Sequence, residues 1–207
     1  MFILGVIPAR KNSKGIPKKN LYPLNGKPLI DYTIEAARFS NLDMWLLTTD
    51  IKELCGFPGM YLPRPDELCK DDTPMLPVIQ HAVEVHQKYS CKLDAVMILQ
   101  PTSPLRTVED IDRAIQLFKD SNADSLYSGY YMGIKHKART YDKHTEKPYF
   151  QRNGAIFITS RELIDKGQLW SKNVIEFEMP KSRSIDIDDM EDMFMAEAIL
   201  KHREAVQ

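Results

Sequence analysis

Short apolar runs and amphipathic stretches alternate along most of this chain, in the manner of strands joined by helices. Ile3, Leu4, Val6 and Ile7 form a compact apolar run closed by Pro8, the pattern of a buried strand. Leu29, Ile30, Ile34 and Ala37 form an apolar helix face, and Pro28 suits the first turn of a helix reaching about Phe39. Met44 to Leu47 is a second strand ending in Thr48-Thr49-Asp50. Strand, helix, strand predicts a right-handed crossover and a parallel sheet covered on both faces. Ile51 to Leu62 is compressed: Gly56, Pro58 and Gly59 leave room for one or two helical turns and a minimal strand near Met60 to Leu62.

The pattern then repeats. Thr73 or Asp72 is placed to cap a helix through about Tyr89, with Val78, Ile79, Ala82, Val83 and Val85 apolar. Leu93 to Leu99 has the composition of a central strand and runs into a second strand-end loop, Gln100 to Arg106. Thr107 with Asp110 resembles a capping box, opening a helix that carries Ile111, Ala114, Ile115 and Phe118. Asp124 to Tyr131 and Ala155 to Thr159 read as strands, Arg161 to Lys166 as a brief helix, and Val174 to Met179 as a further strand. Asp188 or Asp189 starts the last helix, with Asp188 and Glu191 fitting a reciprocal cap and Met193, Phe194, Ala196, Ala198 and Ile199 on its apolar side. Gly133 to Pro148 has no clear periodicity.

Composition narrows the class. The chain has 207 residues, 43% hydrophobic, enough for one domain with a real core and a small appendage. Its 28 basic and 29 acidic residues give a formal charge of -1, so nothing in bulk charge draws it to nucleic acid or anionic lipid. Cys55, Cys69 and Cys91 lack metal-like spacing and fit a reducing compartment. No apolar run approaches the roughly 18 residues needed to span a bilayer, and the N-terminal run is too short for a signal peptide. The expectation is a cytoplasmic protein without a membrane or nucleic-acid partner.

Charge is segregated, and there the candidate chemistry lies. Between Pro8 and Ile30 stand six Lys or Arg residues and no acid, interrupted by Gly15, Pro17, Asn20, Gly26 and Pro28. A basic, glycine-bearing loop at the carboxyl end of a strand is where an α/β sheet holds polyphosphate; a solvated basic turn is the alternative. Near the other end, Asp186-Ile187-Asp188-Asp189-Met190-Glu191-Asp192 places five acids in seven residues. Asp186 and Asp188 are two apart, so an extended segment turns both carboxylates to one side, a mount for a hard divalent cation. Helix-start chemistry is the alternative for the acids beyond them. The five histidines show no zinc-like grouping.

Ile7-Pro8-Ala9-Arg10-Lys11-Asn12-Ser13-Lys14-Gly15 with Lys19-Asn20-Leu21 resembles the signature of the CMP-sialic acid synthetases, the acylneuraminate cytidylyltransferases and their relatives acting on legionaminic and pseudaminic acids. The resemblance recurs at Arg64-Pro65, at Leu99 to Arg106, at Arg152-Asn153-Gly154-Ala155-Ile156 and at Ser184 to Asp188, in family order across nearly the whole chain. It implies a three-layer α/β fold, nucleotide-diphospho-sugar transferase-like (Rossmann-like), with a mostly parallel sheet. It also implies a short dimerisation lobe around 129–150 and a likeness to homodimers.

The implied reaction is cytidylyl transfer from CTP to the anomeric hydroxyl of a nine-carbon acidic (nonulosonic) sugar, with Mg²⁺ as cofactor. The resemblance makes Arg10 and Lys19 the catalytic cations. It puts Ala9, Ser13, Lys14, Gly15, Asn20, Arg64 and Thr73 at CTP, and Gln100, Arg152 and Asn153 at the sugar. Asp186 and Asp188 would hold the metal. Arg106 is open between meeting the sugar carboxylate and bracing its loop. Gln100-Pro101-Thr102 stands where relatives specific for the eight-carbon acid Kdo have an Asp-containing loop, which argues against Kdo. The segment 133–149 is short for the family, which leaves either a more open pocket or a substrate whose extra acyl groups fill the room; the reading leans to a di-N-acylated acid. Other classes to be separated are a nucleotidyltransferase acting on a sugar phosphate and an inactive nucleotide-binding regulator.

Overall fold

The structure, a computed structural model, describes residues 1–13, 15–54, 60–89, 92–132 and 149–206. Strand β1 (Ile3–Ala9) is followed by a two-stranded ribbon of β2 (Pro23–Leu24) and β3 (Lys27–Pro28), helix α1 (Leu29–Phe39), and strands β4 (Met44–Thr49) and β5 (Met60–Pro63). Then come α2 (Met75–Gln87), β6 (Ala95–Ile98), α3 (Val108–Lys119), β7 (Ser125–Tyr131), β8 (Phe150–Ser160), α4 (Arg161–Asp165), β9 (Val174–Glu178) and α5 (Met190–Val206). Seven strands form one sheet in the order β5-β4-β1-β6-β8-β7-β9. β8 pairs antiparallel with both β6 and β7, while the other neighbours pair parallel.

The alternation along β1 builds the three layers. Ile3, Ile7 and Ala9 face a core shared with Ile30 and Ile34 of α1 and Ile111 and Phe118 of α3. Leu4 and Val6 face the opposite core, with Ile79 and Val83 of α2 and Ile164 of α4. A continuous apolar strand is what burial on both faces demands. β1 connects outward to β4 and β5, and the chain returns on its other side as β6. The loops after β1 and β6 therefore part at a topological switch point, where open α/β sheets bind ligands.

A third, smaller core joins these loops to the C-terminal helix. Ile16 from the first loop, Leu105 from the second and Ile187 from the acidic segment pack with Met193 and Ala196 of α5. The basic and acidic ends of the sequence thus meet through apolar contacts.

Several local expectations are corrected. Neither Thr73 nor Asp72 caps α2: Pro74 occupies that position without a side-chain cap, and the Thr73 hydroxyl donates to the Glu67 carbonyl. The cap of α5 lies one residue later than Asp188 and Glu191 suggested. Asp189 accepts from the Glu191 and Asp192 amides, and Asp192 accepts from the Asp188 and Asp189 amides. Burying Met193 and Ala196 turns Phe194 and Ala198 outward. The Thr107–Asp110 capping box is present as read. Most of the expected lobe at 129–150 lies outside the described residues; its flanks pair, with Tyr131 opposite Phe150.

Candidate active site

The first wall of the site is the loop after β1. Its backbone is fixed from two sides: the Asn20 amide donates to the Arg10 carbonyl at 2.9 Å, and the Lys11 amide donates to Asp50 Oδ1 at 2.7 Å. Asn20 is buried and sits in a short 3₁₀ turn, Lys19–Leu21, entered by Lys18 in the left-handed region at φ 53°. A Cβ on Gly15 would lie 2.2 Å from the Asp188 carbonyl oxygen, so the loop touches the acidic segment where a side chain does not fit. Lys14 lies outside the described residues.

The acidic segment forms the facing wall. The Ile187 amide donates to the Thr102 carbonyl at 2.8 Å, docking the segment on the loop after β6. Asp186 accepts from the Thr102 side chain, but its Oδ1 is buried without a protein partner, and burial pushes its carboxyl above the ordinary range. Asp188 is open, with its side chain 86% exposed. Lys19 reaches across: Nζ donates to the Ile187 carbonyl at 2.6 Å and stands 3.7 Å from Asp188 Oδ1.

A hard divalent cation fits this donor set. The buried orphan oxygen of Asp186 is a polar atom left without compensation, and carboxylate oxygens are the ligands Mg²⁺ takes alongside water and phosphate. Among the described residues no cluster of three or more His, Cys, Asp or Glu is arranged to hold a metal, so most of a shell would come from substrate and water.

Between the walls lies a cavity of about 500 Å³, lined by Arg10, Ser13, Gly15, Lys19, Asn20 and Asp188 on two sides and by Gln100 to Thr102 on the third. Pro8, Arg10 and Met75 also border a second cavity of about 250 Å³, which reaches Arg64 and Thr73. Ala9 is buried in the core at the end of β1 and offers this region backbone only. Arg64 is buried and donates to the Thr48 carbonyl at 2.7 Å; burial pulls its guanidinium below the usual value. Arg10 is paired with Asp71 and also donates to the Lys70 carbonyl.

The sugar-side candidates divide. Gln100 lines the main cavity. Asn153 does not offer its amide to it. Nδ2 donates to Ser184 Oγ at 2.9 Å, and Oδ1 accepts from Ser128 Oγ and the Ala155 amide. Arg152 is not brought there either: alternation along β8 turns it away from Asn153, and its guanidinium stacks 4.0 Å above the Tyr127 ring. The open question over Arg106 is resolved. It is buried, donating to the Ala155 carbonyl at 2.5 Å and to Thr33 Oγ1 at 2.8 Å, and burial pulls it down to about 9. Arg106 braces its loop.

Sequence reasoning missed Thr102, Asp71 and Gly154. Gly154 has φ +68°, and a Cβ there would meet Asp186 Oδ2 and Gln100 Oε1, each at 3.1 Å. The Asn153-Gly154 dipeptide inside an apolar strand was the available signal. Thr102 lies inside the Leu99 to Arg106 block but was given no role there, and Asp71 carries no motif of its own.

The sequence profile of the family described as Cytidylyltransferase matches residues 4–179. An N-acylneuraminate cytidylyltransferase of Escherichia coli is 30% identical over 94% of this chain and 51% of that protein. The chain thus spans about half the length of that relative. A CMP-N,N'-diacetyllegionaminic acid synthase of Legionella pneumophila is 30% identical over 97% of each chain. A pseudaminic acid cytidylyltransferase of Campylobacter jejuni is 27% identical over 96% of each. Among solved structures, CMP:2-keto-3-deoxy-manno-octonic acid synthetase complexed with CTP superposes with a TM-score of 0.73 at 18% identity, covering 98% of this chain and 100% of that one. That likeness shows a shared α/β fold.

Proposed function

The chain belongs to the cytidylyltransferase family, and on that premise we propose that it transfers the cytidylyl group of CTP to the anomeric hydroxyl of a nonulosonic acid, releasing pyrophosphate. The observation carrying this reading is one cavity at the switch point lined by Arg10 and Lys19 and by Asp188, with the partly buried carboxylate of Asp186 two residues before Asp188.

In the reaction so assigned, the triphosphate lies along the loop from Arg10 to Lys19, and the base enters the adjoining cavity toward Arg64 and Thr73. Arg10 exchanges Asp71 for phosphate oxygens, which its planar fork suits. Lys19 exchanges the Ile187 carbonyl for the α- or β-phosphate. The anomeric oxygen of the sugar attacks the α-phosphorus, the bond from that phosphorus to the bridging oxygen of the leaving pyrophosphate breaks, and the hydroxyl proton leaves to solvent. Arg10 and Lys19 stabilise the charge that develops, the term that dominates phosphoryl-type transfers. A Mg²⁺ held by Asp186 and Asp188 would add Lewis-acid charge neutralisation at the phosphates.

Gln100 lines the main cavity, which supports a role in holding a sugar hydroxyl or N-acyl group. An amide in this loop, rather than a carboxylate, supports a nonulosonic acid over Kdo. The full-length correspondence with the legionaminic acid synthase supports the lean to a di-N-acylated acid. Dimeric assembly and cytoplasmic operation belong to the same reading. Exposed Tyr131, Tyr149 and Trp170 give an interface apolar surface, and among the described residues no helix is long and apolar enough to cross a membrane.

The test is pyrophosphate release from CTP with free N-acetylneuraminate, di-N-acetyllegionaminate, pseudaminate and Kdo, and with sugar 1-phosphates. The reading expects turnover only with the free nine-carbon acids. A tenfold preference for N-acetylneuraminate would remove the lean, preference for Kdo would overturn the acceptor class, and turnover of sugar phosphates alone would overturn the reaction.

A further inference from the structure

The carboxylate of Asp110 has more partners than a helix cap requires. It is 0% exposed, yet it takes the full fork of Arg183: Nε donates to Oδ2 at 2.8 Å and Nη2 to Oδ1 at 2.7 Å. The same Oδ2 accepts from the Thr107 amide at 3.0 Å and the Thr107 hydroxyl at 3.1 Å. A capping box needs only an acceptor at this position, and a surface carboxylate would supply it. A buried carboxylate joined to a distant arginine has a second task.

Arg183 ends the 3₁₀ turn Lys181–Arg183, and Asp186 follows three residues later with no regular element between them. Such a span is at most about 10 Å of chain, so any shift of Arg183 passes to the two carboxylates. The opposite end of the link is the start of α3, directly after the loop that carries Gln100, Thr102 and Arg106. Arg203 of α5 bridges the same two segments, donating to the Leu105 and Ser182 carbonyls at 3.3 Å each. The Asn153 amide adds a bond to Ser184 at 2.9 Å.

We propose that Arg183 and Asp110 are positioning residues which register the Ser184–Asp188 segment against the Gln100–Arg106 loop and so set the divalent-cation site. The proposal rests on the reading that Asp186 and Asp188 hold the cation. A lysine at 183 keeps the charge but cannot reproduce a bidentate fork, which makes Arg183→Lys the informative change. Neither Arg183 nor Asp110 is among the CTP-contacting residues, so the KM for CTP read at saturating Mg²⁺ separates a displaced cation site from lost nucleotide contacts.

The experiment measures Mn²⁺ binding by electron paramagnetic resonance, with CTP present and no sugar, alongside the Mg²⁺ dependence of turnover and the KM for CTP. Arg183→Lys is expected to weaken Mn²⁺ binding at least tenfold, with a parallel rise in the half-saturating Mg²⁺ concentration, while the KM for CTP at saturating Mg²⁺ stays within threefold. Arg183→Met is expected to be worse, so the lysine variant shows partial rescue. Mn²⁺ affinity within twofold of the parent in folded Arg183→Lys, with Asp186→Asn abolishing binding, overturns the positioning role alone. Unchanged binding in Asp186→Asn overturns the metal reading and this proposal with it. Should Arg183→Lys fail to fold, Arg203→Met carries the same test: a threefold to fivefold loss of Mn²⁺ affinity supports the clamp, and no loss overturns it.

Discussion

Replacing Asp186 by Asn separates folding from function with opposite signs. In the ligand-free protein this carboxylate is desolvated, one oxygen bonds Thr102, and the other has no protein partner. An unsatisfied buried polar group costs about 1–3 kcal/mol, and the isosteric amide relieves part of that by removing the charge. We expect the metal-free melting temperature of Asp186→Asn to be unchanged or up to about 3 °C higher, at roughly 2–4 °C per kcal/mol for a protein of this size. The sign of the pH dependence follows. Because burial raises the Asp186 pKa above its unfolded value, the folded protein takes up that proton first as pH falls. The metal-free parent therefore gains relative stability through the raised pKa, and the variant's advantage closes. With Mg²⁺ and CTP at about 100 times Kd, the parent gains ~2.7 kcal/mol, read as about 5–10 °C in a thermal shift. The variant keeps only the part that CTP supplies without metal. Turnover falls by about 100-fold or more, the scale of losing one group that stabilises transition-state charge. A variant that melts well below the parent without ligand, or that keeps the parent's Mg²⁺ response in turnover, refutes the reasoning.

Arg10→Ala lowers kcat/KM by about 100-fold or more while the fold is kept; steady-state kinetics within twofold of the parent would remove Arg10 from the chemistry. Asp192→Asn is not a silent change, because Asp192 holds the Asp188 and Asp189 amides. It raises the half-saturating Mg²⁺ concentration by about threefold to tenfold, the equivalent of weakening a bond worth ~1 kcal/mol, and a Mg²⁺ titration reads it directly. Arg106→Met leaves the Ala155 carbonyl and Thr33 hydroxyl without their donor in the core. Denaturant unfolding shows a loss of roughly 2–4 kcal/mol, from two buried acceptors left unsatisfied at about 1–3 kcal/mol each, and a loss below about 1 kcal/mol would show that the brace is dispensable.

The architecture was legible because burial writes itself into sequence. An apolar run such as Val96 to Leu99, or the Ile3–Ile7 run split between two cores, has few structural solutions. The walls of the cavity were legible through the family resemblance, which picked out Arg10, Lys19 and Asp188 in their blocks. It could not say which way each strand residue points. Arg152 and Asn153 are adjacent in β8, so pleating alone sends them to opposite faces, and the glycine after them breaks the register that would decide which face serves the site. Asp110 read as a cap and is one, but a local motif says nothing of Arg183, which arrives 73 residues later. Asp71 is one of two adjacent acids in a turn, and only the fold brings it to Arg10. The shortened segment over 133–148 lies outside the described residues, so the lean to a di-N-acylated acid rests on chain length and likeness.

The most direct test of the account follows the anomeric oxygen. A free nonulosonic acid is labelled with ¹⁸O at the anomeric position by equilibration in labelled water, then incubated briefly with enzyme, CTP and Mg²⁺ in ordinary water, and the products are weighed by mass spectrometry. The account predicts a CMP-sugar retaining ¹⁸O in the bridge between sugar and α-phosphorus, with unlabelled pyrophosphate. A CMP-sugar without the label beyond the exchange blank, or no CMP-sugar from any free acid in the panel, would contradict attack by the anomeric hydroxyl on CTP.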